Sequence, residues 1–221
     1  MAKYLRLNFR DGYCKKTKLP TILIVWWNPK QSDHRHGWQG NRNSFYSIAK
    51  TLPLPDACWY LLEAPYTIDN DDSKRSWSRE ISPGVWDMES PRKLIHNFFS
   101  EHIWQHYKDK YIFVLGFSMG AMVCYEVILK MDRTLGGVFP IAGFIHKSQG
   151  TNFKIHQKQL KTPIIIGHGD EDNIVPVEKS HIIFNILKDQ GANVDLEIFK
   201  GKHKINISFY KRMQTHIQNK K

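Results

Sequence analysis

Apolar and polar positions follow a regular succession along the chain. Tyr4–Phe9 (YLRLNF) alternates with the period of a half-exposed strand. Thr21–Trp27 (TILIVWW) is a continuous β-rich run, as expected of a strand covered on both faces. Ser44–Leu52 predicts a helix ended by Pro53 and Pro55, and Ala57–Leu62 predicts another buried strand. Asp69–Ser90 is polar and holds the turn pair Pro83-Gly84, which predicts a long loop. Pro91–Tyr107 has helical periodicity, with Leu94, Ile95, Phe98, Phe99, Ile103 and Trp104 along one face. A strand over Tyr111–Leu115 then leads into a helix over Met119–Met131. Short strands at Gly136–Ile141 and Pro163–Ile166 precede a helix at Val177–Gln190, a strand at Val194–Phe199 and a helix at Ile205–Gln218. Strands alternating with helices predict an α/β fold with a mainly parallel sheet and helices on both faces. Right-handed crossovers bring the C-terminal strand ends to one edge, where ligands bind in such sheets. With no internal repeat, low-complexity segment or linker, residues 1–221 read as a single domain.

Composition changes this picture little. The 221 residues are 41% apolar and 24% charged, ordinary for a globular protein. The net charge of +11 is concentrated at the ends: six basic groups against one acid in residues 1–20, and seven against none in residues 200–221. The body between them is close to neutral, and no nucleic-acid-binding signature accompanies the charge. Nucleic acid is therefore not an expected partner; peripheral contact of the basic ends with anionic surfaces stays open. No apolar run approaches the roughly 18–20 residues needed to cross a bilayer, and the first residues lack a signal-peptide core, so the expected location is cytoplasmic. Cys14, Cys58 and Cys124 form no CxxC pair and indicate neither a disulfide framework nor a zinc site; Cys58 and Cys124 read as core thiols. His34 and His36 read as solvated or site-lining rather than as metal ligands, and no metal or cofactor is expected. The sequence leaves the oligomeric state open.

Three polar residues directly follow three predicted strands. Ser118 stands in Gly116-Phe117-Ser118-Met119-Gly120, between an apolar strand and an apolar helix. Glycines at such a junction allow a tight turn that projects the serine hydroxyl, and the helix N-terminus favours negative charge developing there. Asp172 lies in GHGDEDNIVPVE beside Asp170 and Glu171, and His203 lies in KGKHKI. A loop acid can simply cap a helix, and a loop histidine can simply be solvated. The chain order Ser118, Asp172, His203 joins the three as nucleophile, acid and base.

GFSMGA, HGDEDNIVP and GKHKI resemble the catalytic blocks of the α/β-hydrolase superfamily, and more narrowly of its carboxylesterase, phospholipase and acyl-protein thioesterase group. His168, Gly169, Asp172, Val175 and Pro176 fit the group's HGxxDxxVP frame, which favours Asp172 over Asp170 as the acid. LLEAPY (Leu61–Tyr66) and RSW (Arg75–Trp77) are similar to further segments, so the resemblance runs from about Pro20 to Ile205. It implies an α/β-hydrolase fold and a serine hydrolase that cleaves esters or thioesters of small or medium acyl groups, on small-molecule or lipid-like substrates, through a Ser-His-Asp triad. An amidase, peptidase or dienelactone-type hydrolase of the same fold, or an inactive scaffold serving as a binding protein, are the alternatives. Two departures stand out. The group's His-Gly turn after the first buried strand is absent: TILIVWW ends in Asn28-Pro29, and HGWQG (His36–Gly40) comes later. The oxyanion-hole donors are then the Met119 N–H with either Asn28 or a residue around Trp38, since Pro29 has no N–H. Lys202 stands before His203 where the group has glycine. Only about twenty residues separate the strand ending at Ile141 from that starting at Pro163, too few for a large lid domain. Phe117, Trp77 and Trp86 are candidate apolar walls for the substrate.

Overall fold

The computed structural model describes residues 4–7, 21–25, 54, 57–83, 85–146 and 152–219. Seven strands form one sheet: β1 (Tyr4–Leu7), β2 (Thr21–Val25), β3 (Cys58–Leu62), β8 (Ile112–Phe117), β9 (Gly137–Ile141), β10 (Ile164–Gly169) and β11 (Val194–Phe199). Their spatial order is β1-β3-β2-β8-β9-β10-β11. β1 runs antiparallel to β3, and every other pair is parallel. Strand order reverses across β2 and β8, so a crevice opens at the C-terminal end of β8, where GFSMG begins.

Period-two alternation along the strands builds a core on each face. Tyr60 and Leu62 of β3 and Ile112 and Val114 of β8 face one core, with Trp77, Phe98, Phe99, Met122 and Leu187. Trp59, Leu61, Phe113, Leu115 and Phe117 face the other, with Phe209, Met213 and Ile217. The helices follow: α1 (Glu89–Phe98), α2 (Met119–Glu126) and α3 (Glu178–Asp189) supply the first core, and α4 (Ile207–Gln218) the second. Helices on both faces of a mainly parallel sheet are thus present, as the alternating pattern predicts.

Several boundaries differ from the sequence expectation. Asp69–Ser90 is not one loop. It contributes to two hairpins, β4 (Tyr66–Ile68) with β5 (Asp71–Ser76), and β6 (Arg79–Ser82) with β7 (Val85–Asp87). Among the described residues each strand pairs only with its hairpin partner, and β6 is exposed throughout, so no alternating apolar face marks them. The turn between β4 and β5 is Asp69-Asn70, both with positive φ (52° and 54°), the two-residue geometry that Asp and Asn tolerate best after glycine. The helix expected to reach Tyr107 continues past α1 as a π-helical turn, Phe99–Ile103. The one expected to reach Met131 ends at Glu126 and resumes as a 3₁₀ turn at Ile128–Lys130. β10 extends beyond Ile166 through Gly167, His168 and Gly169, all buried. Cys58, expected as a core thiol, is buried but disulfide-bonded, whereas Cys124 is free and buried. The helix expected at Ser44–Leu52 lies outside the described residues, as do Cys14, His34 and His36.

Candidate active site

Ser118 occupies the turn between β8 and α2 with φ 55° and ψ −116°, a strained conformation for a residue with a Cβ. Its own N–H donates to the Ile141 carbonyl (2.8 Å), and its carbonyl accepts from Ala121 and Met122, which pins the turn from both sides. Gly116 permits the sharp approach of strand to helix: a Cβ there would lie 2.3 Å from the Gly120 carbonyl oxygen. The serine is buried, not projecting into open solvent, and its Oγ lies 3.0 Å from His203 Nε2. No hydrogen bond among the described residues takes up the Met119 N–H, which stands at the start of α2. Asn28 and Trp38, the two candidates for the second oxyanion donor, lie outside the described residues.

His203 follows β11, and its Nδ1 lies 2.7 Å from Asp172 Oδ2. The Phe117 ring packs on the imidazole at 4.7 Å between centroids. Asp172 follows β10. Its Oδ1 accepts the N–H groups of Ile174 (2.9 Å) and Val175 (3.0 Å), and its side chain has no solvent exposure. Burial opposes the charge of Asp172. Hydrogen bonds from His168, His203 and the Val175 N–H, with the charge of His203, outweigh it and hold the carboxyl well below its usual range. Asp170, the rival acid, serves the backbone instead: Oδ1 accepts the Gly201 N–H at 2.9 Å. The loop carrying His203 can close on β10 because residue 169 is glycine; a Cβ there would lie 2.3 Å from the Gly201 carbonyl oxygen. Lys202 is exposed. The structure therefore brings Ser118, His203 and Asp172 into one hydrogen-bonded line. Such a line can deprotonate a hydroxyl as it attacks a carbonyl carbon, with the imidazolium stabilised by the carboxylate.

A cavity of about 570 Å³ adjoins this line through Met119 and Val175. The two hairpins wall it with Tyr66, Ile68 and Trp86, and the segment after β9 walls it with Phe144, Ile145 and His146. Of the three expected aromatic walls only Trp86 lines it. Trp77 is fully buried in the core, its backbone N–H donating to Met119 Sδ (3.2 Å), and Phe117 is buried behind the imidazole. Their apolar mass serves the sheet faces, because both flank strands or turns that turn inward. The Trp86 wall is fixed by stacking on His146 (5.4 Å between centroids). His146 is held in turn by buried Glu126, whose Oε1 accepts its backbone N–H at 2.8 Å and faces its Nδ1 at 3.0 Å. The hairpins are tied together by the Tyr66 hydroxyl, which donates to the Asp87 carboxylate and leads the effects that lower its pKa to about 2. Sequence reading missed Glu126, His146 and Tyr66 as site-building residues, since nothing local marks pairs whose partners are about 20 residues away.

A sheet that reverses order at the nucleophile elbow, with acid and base on later strand ends, defines the α/β-hydrolase fold. The chain belongs to the Phospholipase/Carboxylesterase family, whose model matches residues 36–221. It is 23% identical over 184 residues to Carboxylesterase SOBER1 of Arabidopsis thaliana, covering 77% of this chain and 80% of that one. It is 32% identical over 95 residues to Acyl-protein thioesterase 1 of Kluyveromyces lactis, but this match covers 42% of each chain. Among solved structures, esterase PE8 superposes with a TM-score of 0.76 at 17% identity, covering 99% of this chain and 98% of that one; this likeness supports the fold. Among the described residues, no helix is long and apolar enough to cross a membrane.

Proposed function

We propose that the protein is a serine hydrolase that cleaves carboxylic esters or thioesters of small or medium acyl groups. The observation that carries this is His203, which bridges Ser118 Oγ (3.0 Å) and Asp172 Oδ2 (2.7 Å) at the strand ends of a hydrolase fold. Ser118 Oγ attacks the acyl carbonyl carbon while His203 Nε2 takes its proton. Asp172 keeps Nδ1 protonated and stabilises the imidazolium. The Met119 N–H, at the helix N-terminus, donates to the oxyanion as the tetrahedral adduct forms. The imidazolium then protonates the departing alcohol or thiol. Water, deprotonated by His203, attacks the acyl-enzyme and releases the acid, restoring the Ser118 hydroxyl. The chemistry requires no metal or organic cofactor.

The cavity beside Met119, lined largely by apolar side chains, supports an acyl chain of modest length. The names of the relatives, carboxylesterase and acyl-protein thioesterase, support the same bond class. Labelling with a fluorophosphonate probe tests the reading. Wild type is expected to label and Ser118→Ala, folded by circular dichroism, is not. A well-folded wild type that resists the probe would overturn the enzyme reading in favour of a binding scaffold. Ester, thioester and amide substrates of matched acyl group then separate the bond classes.

A further inference from the structure

The Asp172 carboxylate is held on both oxygens, and one of its partners takes no part in the reaction just described. His168, at the end of β10, is fully buried. Its Nε2 lies 2.8 Å from the Val175 carbonyl oxygen and 3.2 Å from Asp172 Oδ2. A carbonyl can only accept, so Nε2 carries the proton and shares it between the two oxygens. Nδ1 then holds a lone pair, and the Ser180 hydroxyl, 2.6 Å away, donates to it. Ser180 is also fully buried, on α3. With the other tautomer, a bare Nε2 would face two oxygens with no proton between them. The Val175 carbonyl and the Asp172 carboxylate, which only accept, therefore select the Nε2–H tautomer, and the Ser180 hydroxyl completes it by donating to Nδ1.

We propose that Ser180 and His168 are positioning residues for acyl transfer: Ser180 anchors the His168 ring through Nδ1, so that the Nε2–H edge of His168 holds the Asp172 carboxylate in the orientation that serves His203. This rests on the serine-hydrolase reading. Five side chains then form one line from α3 to the nucleophile: Ser180, His168, Asp172, His203 and Ser118. A merely satisfied core histidine needs only Ser180 and the Val175 carbonyl. His168 also reaches Oδ2, the same oxygen that accepts from His203. With Oδ1 fixed by the Ile174 and Val175 N–H groups, and Oδ2 met by His203 Nδ1 at 2.7 Å and by His168 Nε2 at 3.2 Å, rotation of the carboxylate is opposed at both oxygens. The ionisable groups that bear on Asp172 are His168 from β10 and His203 from the loop after β11. Asp170 turns to the Gly201 N–H, and Glu171, Lys202 and Lys204 are exposed.

The test compares His168→Leu, His168→Gln and Ser180→Ala with wild type, each checked for folding by circular dichroism. The readouts are kcat, KM, the rate of fluorophosphonate labelling, the pH profile and the proton resonance of the His203 Nδ1–H. A hydrogen bond to a charged group contributes about tenfold or more to an equilibrium. We expect His168→Leu and Ser180→Ala to lower kcat and labelling rate by about that factor with KM little changed. The acidic limb of kcat/KM should move to lower pH, because a loosened Asp172 stabilises the His203 imidazolium less. His168→Gln, whose side-chain N–H reaches the place of Nε2, should regain much of the loss. A folded His168→Leu or Ser180→Ala with wild-type rate and an unmoved limb overturns the proposal, as does a glutamine variant no better than leucine. If His168→Leu does not fold, Ser180→Ala and His168→Gln decide. If wild type does not label at all, the enzyme reading fails separately. The His203 Nδ1–H resonance then decides the positioning role: a shift in Ser180→Ala supports it, and an unchanged resonance ends it.

Discussion

At the residue scale, one carboxylate makes a double prediction. Asp172 is buried and anionic because the Ile174 and Val175 N–H groups and the His203 ring donate to it, with His168 Nε2 a further 3.2 Å contact. Asp172→Asn removes the charge while keeping the shape, and should lower kcat by about 10⁴-fold, measured on the best ester substrate. The same group links stability to pH. Its folded pKa lies below its unfolded value of about 4, so the native state binds the proton less readily than the unfolded chain. Its contribution is complete above the usual carboxylate range and is lost as pH falls through that range towards the folded pKa. Wild type and Asp172→Asn, compared by urea unfolding across pH, should therefore converge in acid; a constant gap would contradict the assignment. Ser118, Asp172 and His203 were legible in the sequence because each stands in a short motif directly after an apolar strand. His168 stood within the quoted HGxxDxxVP frame, but its partnership with Ser180 was not legible. The two lie 12 residues apart and meet only because α3 packs against β10.

At the scale of elements, the site depends on how closely two loops approach. β10 must come within van der Waals range of the Gly201–Lys202 backbone for His203 to reach Asp172. Gly169→Ala places a methyl 2.3 Å from a backbone oxygen, so the loop bearing His203 must move. A shift of about 1 Å can cost 10²-fold in rate. Gly169→Ala is thus expected to lose about that factor in kcat/KM, with a lowered Tm by thermal melt; an active variant of normal Tm would show that the loop adapts freely. The hairpins β4–β5 and β6–β7 escaped the sequence pattern for a related reason. Their strands are short and carry no alternating apolar pattern, so only the Pro83-Gly84 pair stood out in the sequence. The inner strands β3, β8 and β9 were legible because both their faces are covered, which demands unbroken apolar runs, whereas β11 was legible by its alternation.

At the scale of the whole molecule, the hairpins and the segment after β9 enclose the cavity that meets Met119. If it receives the acyl chain, each buried methylene adds about 0.8 kcal/mol, roughly fourfold in kcat/KM, until about 570 Å³ is filled. A series of straight-chain esters should rise and then fall, and Ile145→Trp should move the maximum to shorter chains. A flat profile, unmoved by the substitution, would place the acyl group elsewhere. The sequence by itself determined the α/β alternation, the strand ends that carry Ser118, Asp172 and His203, and their order. These are local: hydrophobic period, turn glycines and short motifs need no knowledge of what packs on what. Only the tertiary structure decided that Asp170 turns to the Gly201 N–H while Asp172 meets His203, that Trp86 but not Trp77 faces the cavity, and that His168 and Ser180 lie behind the acid. Each of these is a meeting between residues on different elements, and burial, tautomer and carboxylate orientation exist only once those elements have packed.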